Sequence, residues 1–245
     1  MSKKTVLITG ASRGIGRATA KLFAKYGYNV LINYNKSEKE AYELYNLLKN
    51  KGYSVSIFKA DVSNKTEVNL MINHCIGVFG KIDVLVNNAG ISQSKLFTDI
   101  TDDDWKEIMD INLNGVFYTT QKALQYMIPE MSGKIINISS IWGMVGGSFE
   151  VHYSTSKAAI IGMSKALAKE LGPSNIQVNV VAPGVIQTDM LNDIDKDTIN
   201  TLKEETPLMR LGTPDDIANC VLFLASEKSN FITGQVISPN GGFVI

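Results

Sequence analysis

Short apolar runs and longer amphipathic stretches take turns along the whole chain. Residues 5–9, Thr-Val-Leu-Ile-Thr, show no polar alternation, the pattern of a strand buried on both faces. Residues 15–26 then place Ile15, Ala18, Leu22 and Phe23 at helical spacing and stop near Gly27. The same rhythm predicts further strands at 29–33, 54–59, 84–86, 134–138, 177–181 and 236–238, with helices between them. Ser37 with Glu40 predicts a capping box opening a helix to about Lys49, and Asn64 with Glu67 opens another that ends at Gly80. Thr101 with Asp104 caps one long helix to about Met127. A helix through Tyr153 and Lys157 runs to about Leu171, before Gly172-Pro173. Thr213, Pro214 and Asp216 start the last helix, through Ala225. Strict alternation predicts an α/β fold. It is a doubly wound, seven-stranded parallel sheet with helices on both faces, in a single domain over residues 1–245.

One stretch breaks the rhythm. Residues 183–212 separate the sixth strand from the next helix and are polar, with acids at Asp193, Asp195 and Asp197. A surface excursion is the plain reading. Its place at the carboxyl end of a strand favours a substrate lid, at about 184–212.

Composition narrows the class. Lys+Arg and Asp+Glu balance at 24 each, so no global field points to nucleic acid or to an anionic membrane. No apolar run approaches the ~20 residues of a membrane span. The opening Met1-Ser2-Lys3-Lys4 shows no signal-peptide pattern, so a cytoplasmic protein is expected. Two cysteines, Cys75 and Cys220, and two histidines, His74 and His152, predict neither a disulfide framework nor a metal site.

The chemistry-bearing residues lie at strand ends. Thr9-Gly10-Ala11-Ser12-Arg13-Gly14-Ile15-Gly16 joins the first strand to the first helix. Glycine lets the backbone turn and approach a diphosphate, while a helix N-terminus offers free amides and a positive dipole end. The spacing is Gly-x-x-x-Gly-x-Gly rather than the commoner Gly-x-Gly-x-x-Gly, and dinucleotide binding is the expectation. Further on, Tyr153 and Lys157 at i and i+4 share one helix face, with Ser140 upstream. A cation beside a phenol lowers its pKa, which suits proton exchange with a carbonyl oxygen. By spacing alone, two unrelated helical residues are the plainer reading of the pair.

These motifs together resemble the short-chain dehydrogenase/reductase family over essentially the whole chain. The residues that carry the resemblance are the Gly10–Gly16 loop, Asn87-Asn88-Ala89-Gly90, Asn112, Ser140, Tyr153-x-x-x-Lys157 and Pro183-Gly184. It implies a single-domain Rossmann fold and a nicotinamide cofactor. Gly10, Ser12, Arg13, Gly14, Ile15 and Gly16 would cradle the diphosphate. Asp61 and Val62 would meet the adenine, and Asn88, Ala89 and Gly90 would shape the adenosine side. Pro183, Gly184, Val185, Ile186 and Thr188 would meet the nicotinamide. Tyr153 would be the proton donor and Ser140 would polarise the carbonyl. Lys157 would lower the Tyr153 pKa and hold the ribose, and Asn112 would bind a water linking Lys157 to solvent. The resemblance also implies a homotetramer, built on the long helices and the last strand.

The second strand ends Asn33-Tyr34-Asn35-Lys36, with no acid to repel a 2′-phosphate. Arg13 and Lys36 are cations such a phosphate would want, so NADP(H) is expected, with Asn33 beside it.

Within the family the sequence is most similar to 3-oxoacyl-acyl-carrier-protein reductases, which implies a ketone on a carrier protein. Two departures qualify that. Arginines that dock an acidic carrier in such reductases are missing from Ile128-Pro129-Glu130-Met131-Ser132 and Pro173-Ser174-Asn175, with Lys134 and Lys165 as partial substitutes. Glu150, three residues before Tyr153, would suit an ammonium-bearing ketone, unless it and His152 point to solvent. Trp142 and Phe149 either wall the pocket or pack a loop. The segments around Trp142 and Glu150, with the ending Pro239-Asn240-Gly241-Gly242-Phe243, are similar to a bacterial subgroup that reduces a 5-aminopentanone group on a lysine of elongation factor P. A sugar, polyol or steroid dehydrogenase and a non-catalytic dinucleotide-binding regulator are the remaining alternatives.

Overall fold

The computed structural model describes residues 3–191 and 195–245; Asp193 of the acidic run lies outside them. Seven parallel strands form one sheet: β1 (Thr5–Ile8), β2 (Asn29–Tyr34), β3 (Val55–Lys59), β4 (Val84–Asn87), β5 (Gly133–Ile138), β6 (Ile176–Val181) and β7 (Val236–Ile237). Their spatial order is β3-β2-β1-β4-β5-β6-β7. Helices α1 (Gly14–Lys25), α2 (Glu38–Asn50) and α3 (Lys65–Phe79) follow the first three strands. Next come α4 (Asp102–Met109), α5 (Gly115–Met127), the short α6 (Trp142–Val145), α7 (Val151–Leu171), α8 (Lys196–Glu204) and α9 (Pro214–Ala225).

The strands lack polar alternation because both faces of the sheet are buried. Val6 and Ile8 enter a core with Phe23, Leu44 and Val221, on the side of α1, α2 and α9. Leu7, between them, enters a second core with Met71, Leu85 and Ile135, on the side of α3 and α5. Successive side chains on a strand point to opposite faces, so each strand must be apolar at every position.

Several capping expectations hold. Asn64 Oδ1 accepts the Thr66 and Glu67 N–H groups, and Gly80 ends α3 in the left-handed region. Thr101 and Thr213 form reciprocal capping boxes with Asp104 and Asp216. Ser37 does not: its side chain makes no cap bond to α2. The single long helix expected from Thr101 to Met127 is also divided. Residues 110–114 form a π-helical turn between α4 and α5. The Asn112 side chain there bonds both the N–H and the carbonyl of Ile91, at 2.9 Å each, and donates to Ser156 Oγ. A tertiary partner recruits this turn, so local periodicity could not reveal it.

Residues 183–212 contain more order than their polarity implied. Asp195 caps α8 by accepting from the Asp197 and Thr198 N–H groups, which gives one of the acids a structural role. A bridge between Ile186 and Gly212 pins the two ends of the excursion side by side. Among the described residues no helix is long and apolar enough to cross a membrane.

Candidate active site

The strand order reverses between β1 and β4, and their register pairs Ile8 with Val86. The segments leaving these two strands therefore start beside each other at the carboxyl edge of the sheet, where a crevice opens. The Asn88 N–H donates to Thr9 Oγ at 2.9 Å, and Asn88 Nδ2 donates to the Thr9 and Gly10 carbonyls. Asn33 braces the same loop from the other side, accepting the Gly10 N–H and donating to the Ala60 carbonyl. Its carboxamide is thus engaged inside the protein, though the residue borders the cleft.

The glycine loop has the features of a diphosphate cradle. Gly10 and Gly14 sit at φ of 61° and 53°, and a Cβ on Gly10 would come within 2.9 Å of Ala89 Cα. Helix α1 opens with no side-chain cap and no acid in its first turn, leaving its amides to an anion. The cleft has a volume of about 630 Å³ and runs from Lys36 past this loop to Tyr153. The residues present fit a dinucleotide. At the adenosine end the Asp61 carboxylate accepts from Asn35 Nδ2 and from Ser63, and Val62 lies beside it in the wall. Arg13 faces the cleft and lies 3.8 Å from Asp189 across it.

At the other end Ser140, Trp142, Glu150, Tyr153 and Lys157 share the wall with Pro183, Gly184, Val185, Ile186 and Thr188. Tyr153 and Lys157 sit one turn apart on α7, with Lys157 Nζ 5.6 Å from the phenol ring centre and donating to the Ile138 carbonyl at 3.0 Å. Gly143 lets α6 lie against α7 here, since a Cβ would come within 2.7 Å of the Lys157 backbone. Burial pushes the Tyr153 phenol up to about 12, with the Glu150 charge adding to it and hydrogen bonding with Ser140 opposing. Burial pulls Lys157 down to about 8. In the protein alone the net shift of the Tyr153 phenol is thus upward, set first by desolvation.

All the expected site residues border this one cleft except Gly16 and Asn112, which lie behind its wall. Asn112 Oδ1 and Lys157 Nζ both face Gly90, within 3.3 Å of where its Cβ would stand. His152 does not point to solvent. Glu150 is half-buried in the cleft wall, its pKa raised by desolvation, and His152 is fully buried. Trp142 walls the cleft and stacks edge-on against Phe243, whereas Phe149 is exposed on a loop. Tyr34, Ser92, Ile141, Leu191 and Leu202 also line the cleft and carry no motif that marks them in advance.

Relatives resolve the family. The sequence model of a family described as enoyl-(acyl carrier protein) reductase matches residues 10–244. The 3-oxoacyl-[acyl-carrier-protein] reductase FabG of Staphylococcus epidermidis is 44% identical over 239 residues, covering 98% of each chain. FabG of Staphylococcus aureus strain Mu50 is 44% identical, covering 98% of this chain and 97% of its own. FabG of Aquifex aeolicus is 41% identical, covering 98% and 96%. With the glycine loop, Ser140, Tyr153 and Lys157 on one cleft of a seven-stranded parallel sheet, the chain belongs to the short-chain dehydrogenase/reductase family and is an oxidoreductase acting on C=O and CH–OH groups.

Proposed function

We propose that the protein is a cytoplasmic, NADPH-dependent reductase that converts a ketone to a secondary alcohol, with a 3-oxoacyl thioester on acyl carrier protein as substrate. The convergence of Ser140, Tyr153 and Lys157 on the wall of the glycine-loop cleft carries this reading. The names of the full-length relatives support its substrate. When bound, the nicotinamide supplies a hydride to the carbonyl carbon. Tyr153, with its pKa up at about 12, holds its proton at neutral pH and gives it to the carbonyl oxygen. Ser140 orients that oxygen by hydrogen bonding. Lys157 places a cation behind the phenol as the phenolate forms, and Asn112 faces the same gap from the π-turn. Residues 184–212 act as the lid, with Thr188 reaching over Gly14. Exposed Phe117 on α5 and the length of α7 suit a homotetramer built on those helices.

Arg13 and Lys36 select the phosphorylated cofactor. Arg13→Glu is expected to weaken NADPH binding by about 10-fold or more and NADH binding by less than about twofold, since an ion pair to phosphate is lost in one case only. Equal losses in titrations with the two cofactors would remove Arg13 from this role.

A second substrate reading rests on Glu150. Its carboxylate is half-buried in the cleft wall, and among the described residues no side chain donates to it. A ketone carrying an ammonium, such as the 5-aminopentanone group on a lysine of elongation factor P, would satisfy it. Carrier docking has less support. Lys134 is half-buried and donates to Ser229 Oγ, which leaves exposed Lys165 as the nearer substitute for the missing arginines. NADPH oxidation with an acetoacetyl thioester and with a small aminoketone, in the wild type and in Glu150→Gln, separates the two readings. If the thioester is the substrate, it is the faster one and Glu150→Gln leaves its rate within about threefold. If the aminoketone is preferred, the variant should lose about 10-fold or more on it, the scale of one charged hydrogen bond. Activity on neither would sink the ketone-reductase reading.

A further inference from the structure

The first turn of α7 is tied to the neighbouring wall of the cleft through its histidine. His152 is fully buried, and its Nε2 lies 3.1 Å from Gln93 Oε1. Gln93 Nε2 donates to Asp104 Oδ1 at 2.9 Å. Asp104 Oδ2 accepts from Lys95 Nζ at 2.6 Å, and from the Thr101 N–H and hydroxyl at 3.0 and 2.7 Å. The Lys95 N–H donates in turn to the Phe149 carbonyl at 2.8 Å. Three pieces of chain meet in this network: the segment after Gly90, the start of α4, and the turn that carries Glu150 and Tyr153. Ile91 and Ser92, just before Gln93, line the cleft themselves.

Chemistry leaves this network one polarity. The bonds from Lys95, Thr101 and Gln93 hold the Asp104 carboxyl well below the usual carboxylate range, so it is ionised and only accepts. Gln93 must therefore turn its NH₂ to Asp104 and its carbonyl to His152. His152 Nε2 then carries the imidazole proton. The remaining nitrogen, Nδ1, is buried and has no hydrogen-bond partner among the described residues. As a bare acceptor it is tolerable. A second proton there would create a buried charge and a donor with nothing to receive it. Burial accordingly pushes the His152 pKa below its ordinary value, with the Asp104 charge opposing and the Lys95 charge reinforcing the shift. Glu150 and Tyr153, on its own element, are the other titratable neighbours in sequence.

We propose that His152 is a positioning residue for the reduction. As a neutral, Nε2-protonated imidazole it clamps the Glu150–Tyr153 turn to the 91–95 wall through Gln93 and Asp104, and charging it opens the clamp. The kinetic half of this proposal rests on the ketone-reductase reading; the structural half does not. The sign follows from the lowered pKa. An open or unfolded chain takes up the proton near pH ~6.5 and the clamped form does not, so the clamp weakens as pH falls below that value.

Imidazole ¹⁵N NMR of the intact protein tests the structural half without any substrate. The expected signal is a neutral Nε2–H tautomer that titrates below pH ~6.5; an Nδ1–H tautomer or ordinary titration overturns the proposal. For the kinetic half, His152→Phe fills the space but cannot donate. It is expected to lower kcat by about 10-fold, as a small misplacement of the acid does, with the dissociation constant for NADPH within about twofold of wild type. His152→Gln restores a donor at similar reach and no titration. It should recover kcat to within about threefold, and lose the acid-side fall of the pH profile. Gln93→Met removes the acceptor from the other side and should reproduce the kcat loss even if His152→Phe fails to fold. Equal kcat in His152→Phe and His152→Gln, or an unchanged kcat in Gln93→Met, overturns the clamp. Absence of all ketone reductase activity with the expected NMR signature would instead fault the functional reading.

Discussion

Tyr153→Phe is expected to reduce kcat by about 10³-fold or more, while the dissociation constant for NADPH and the melting temperature stay near wild type. The substitution removes one hydroxyl and keeps the ring, so the contact of Lys157 Nζ with the ring face at 5.6 Å persists. What disappears is the group that can deliver a proton to the carbonyl oxygen. Ser140 remains and can hydrogen-bond that oxygen, but its hydroxyl is too weak an acid to replace the phenol, which sets the residual rate. A pH profile sharpens the test. In the protein alone Tyr153 titrates near 12, outside the usual assay range, whereas Lys157 is brought down to about 8. Losing the proton from Lys157 removes the cation that stabilises a phenolate, so kcat/KM should fall as pH rises through about 8. Turnover in Tyr153→Phe within tenfold of wild type would overturn the assigned acid.

The fold was legible because its signals are local and redundant. Strands buried on both faces must be apolar throughout, as Val6, Leu7 and Ile8 are, and helix starts at Asn64, Thr101 and Thr213 carry side chains of the right reach. Where a feature depends on a distant partner, local pattern failed. The π-turn at residues 110–114 exists for contacts of Asn112 with Ile91 and Ser156. The cap expected at Ser37 needed a side-chain geometry that spacing does not guarantee. The same division runs through the site. The glycine loop and the Tyr153/Lys157 pair are fixed spacings, visible in one dimension. The clamp on His152 joins residues 93, 104 and 152, which nothing but the fold brings together. The Tyr153 phenol divides the same way: its proximity to Lys157 is visible in sequence, and the depth of burial that raises it is not.

Gly16 separates the two roles of the glycine loop. On an exposed helix, glycine to alanine stabilises by about 1 kcal/mol, because alanine gives up less backbone freedom. Gly16 lies in the first turn of α1 with ordinary helical geometry, so propensity alone predicts a gain for Gly16→Ala. Packing predicts the reverse. A Cβ there would press on the Gly10 carbonyl and come within 2.6 Å of Asn88 Nδ2 and 2.9 Å of Ala11 Cα. Two of those three neighbours are backbone, and Asn88 is already bonded to the Thr9 and Gly10 carbonyls, so none can yield cheaply. Overpacking of this kind costs about 1–3 kcal/mol, enough to cancel the propensity gain and leave a net loss. For a chain of this size the melting temperature should fall by roughly 5 °C. The strain also has a direction: relief requires the Gly10 turn to move away from α1, which carries the amides out of the cradle. NADPH affinity should therefore drop by about 10-fold or more, beyond what the loss of stability alone would cause, because the anion site is distorted in the folded protein. Calorimetry and cofactor titration on the same sample decide the matter. A variant that melts higher and binds NADPH normally would mean that α1 and the loop can part without cost, and that the close approach at Gly16 is incidental to the cofactor site.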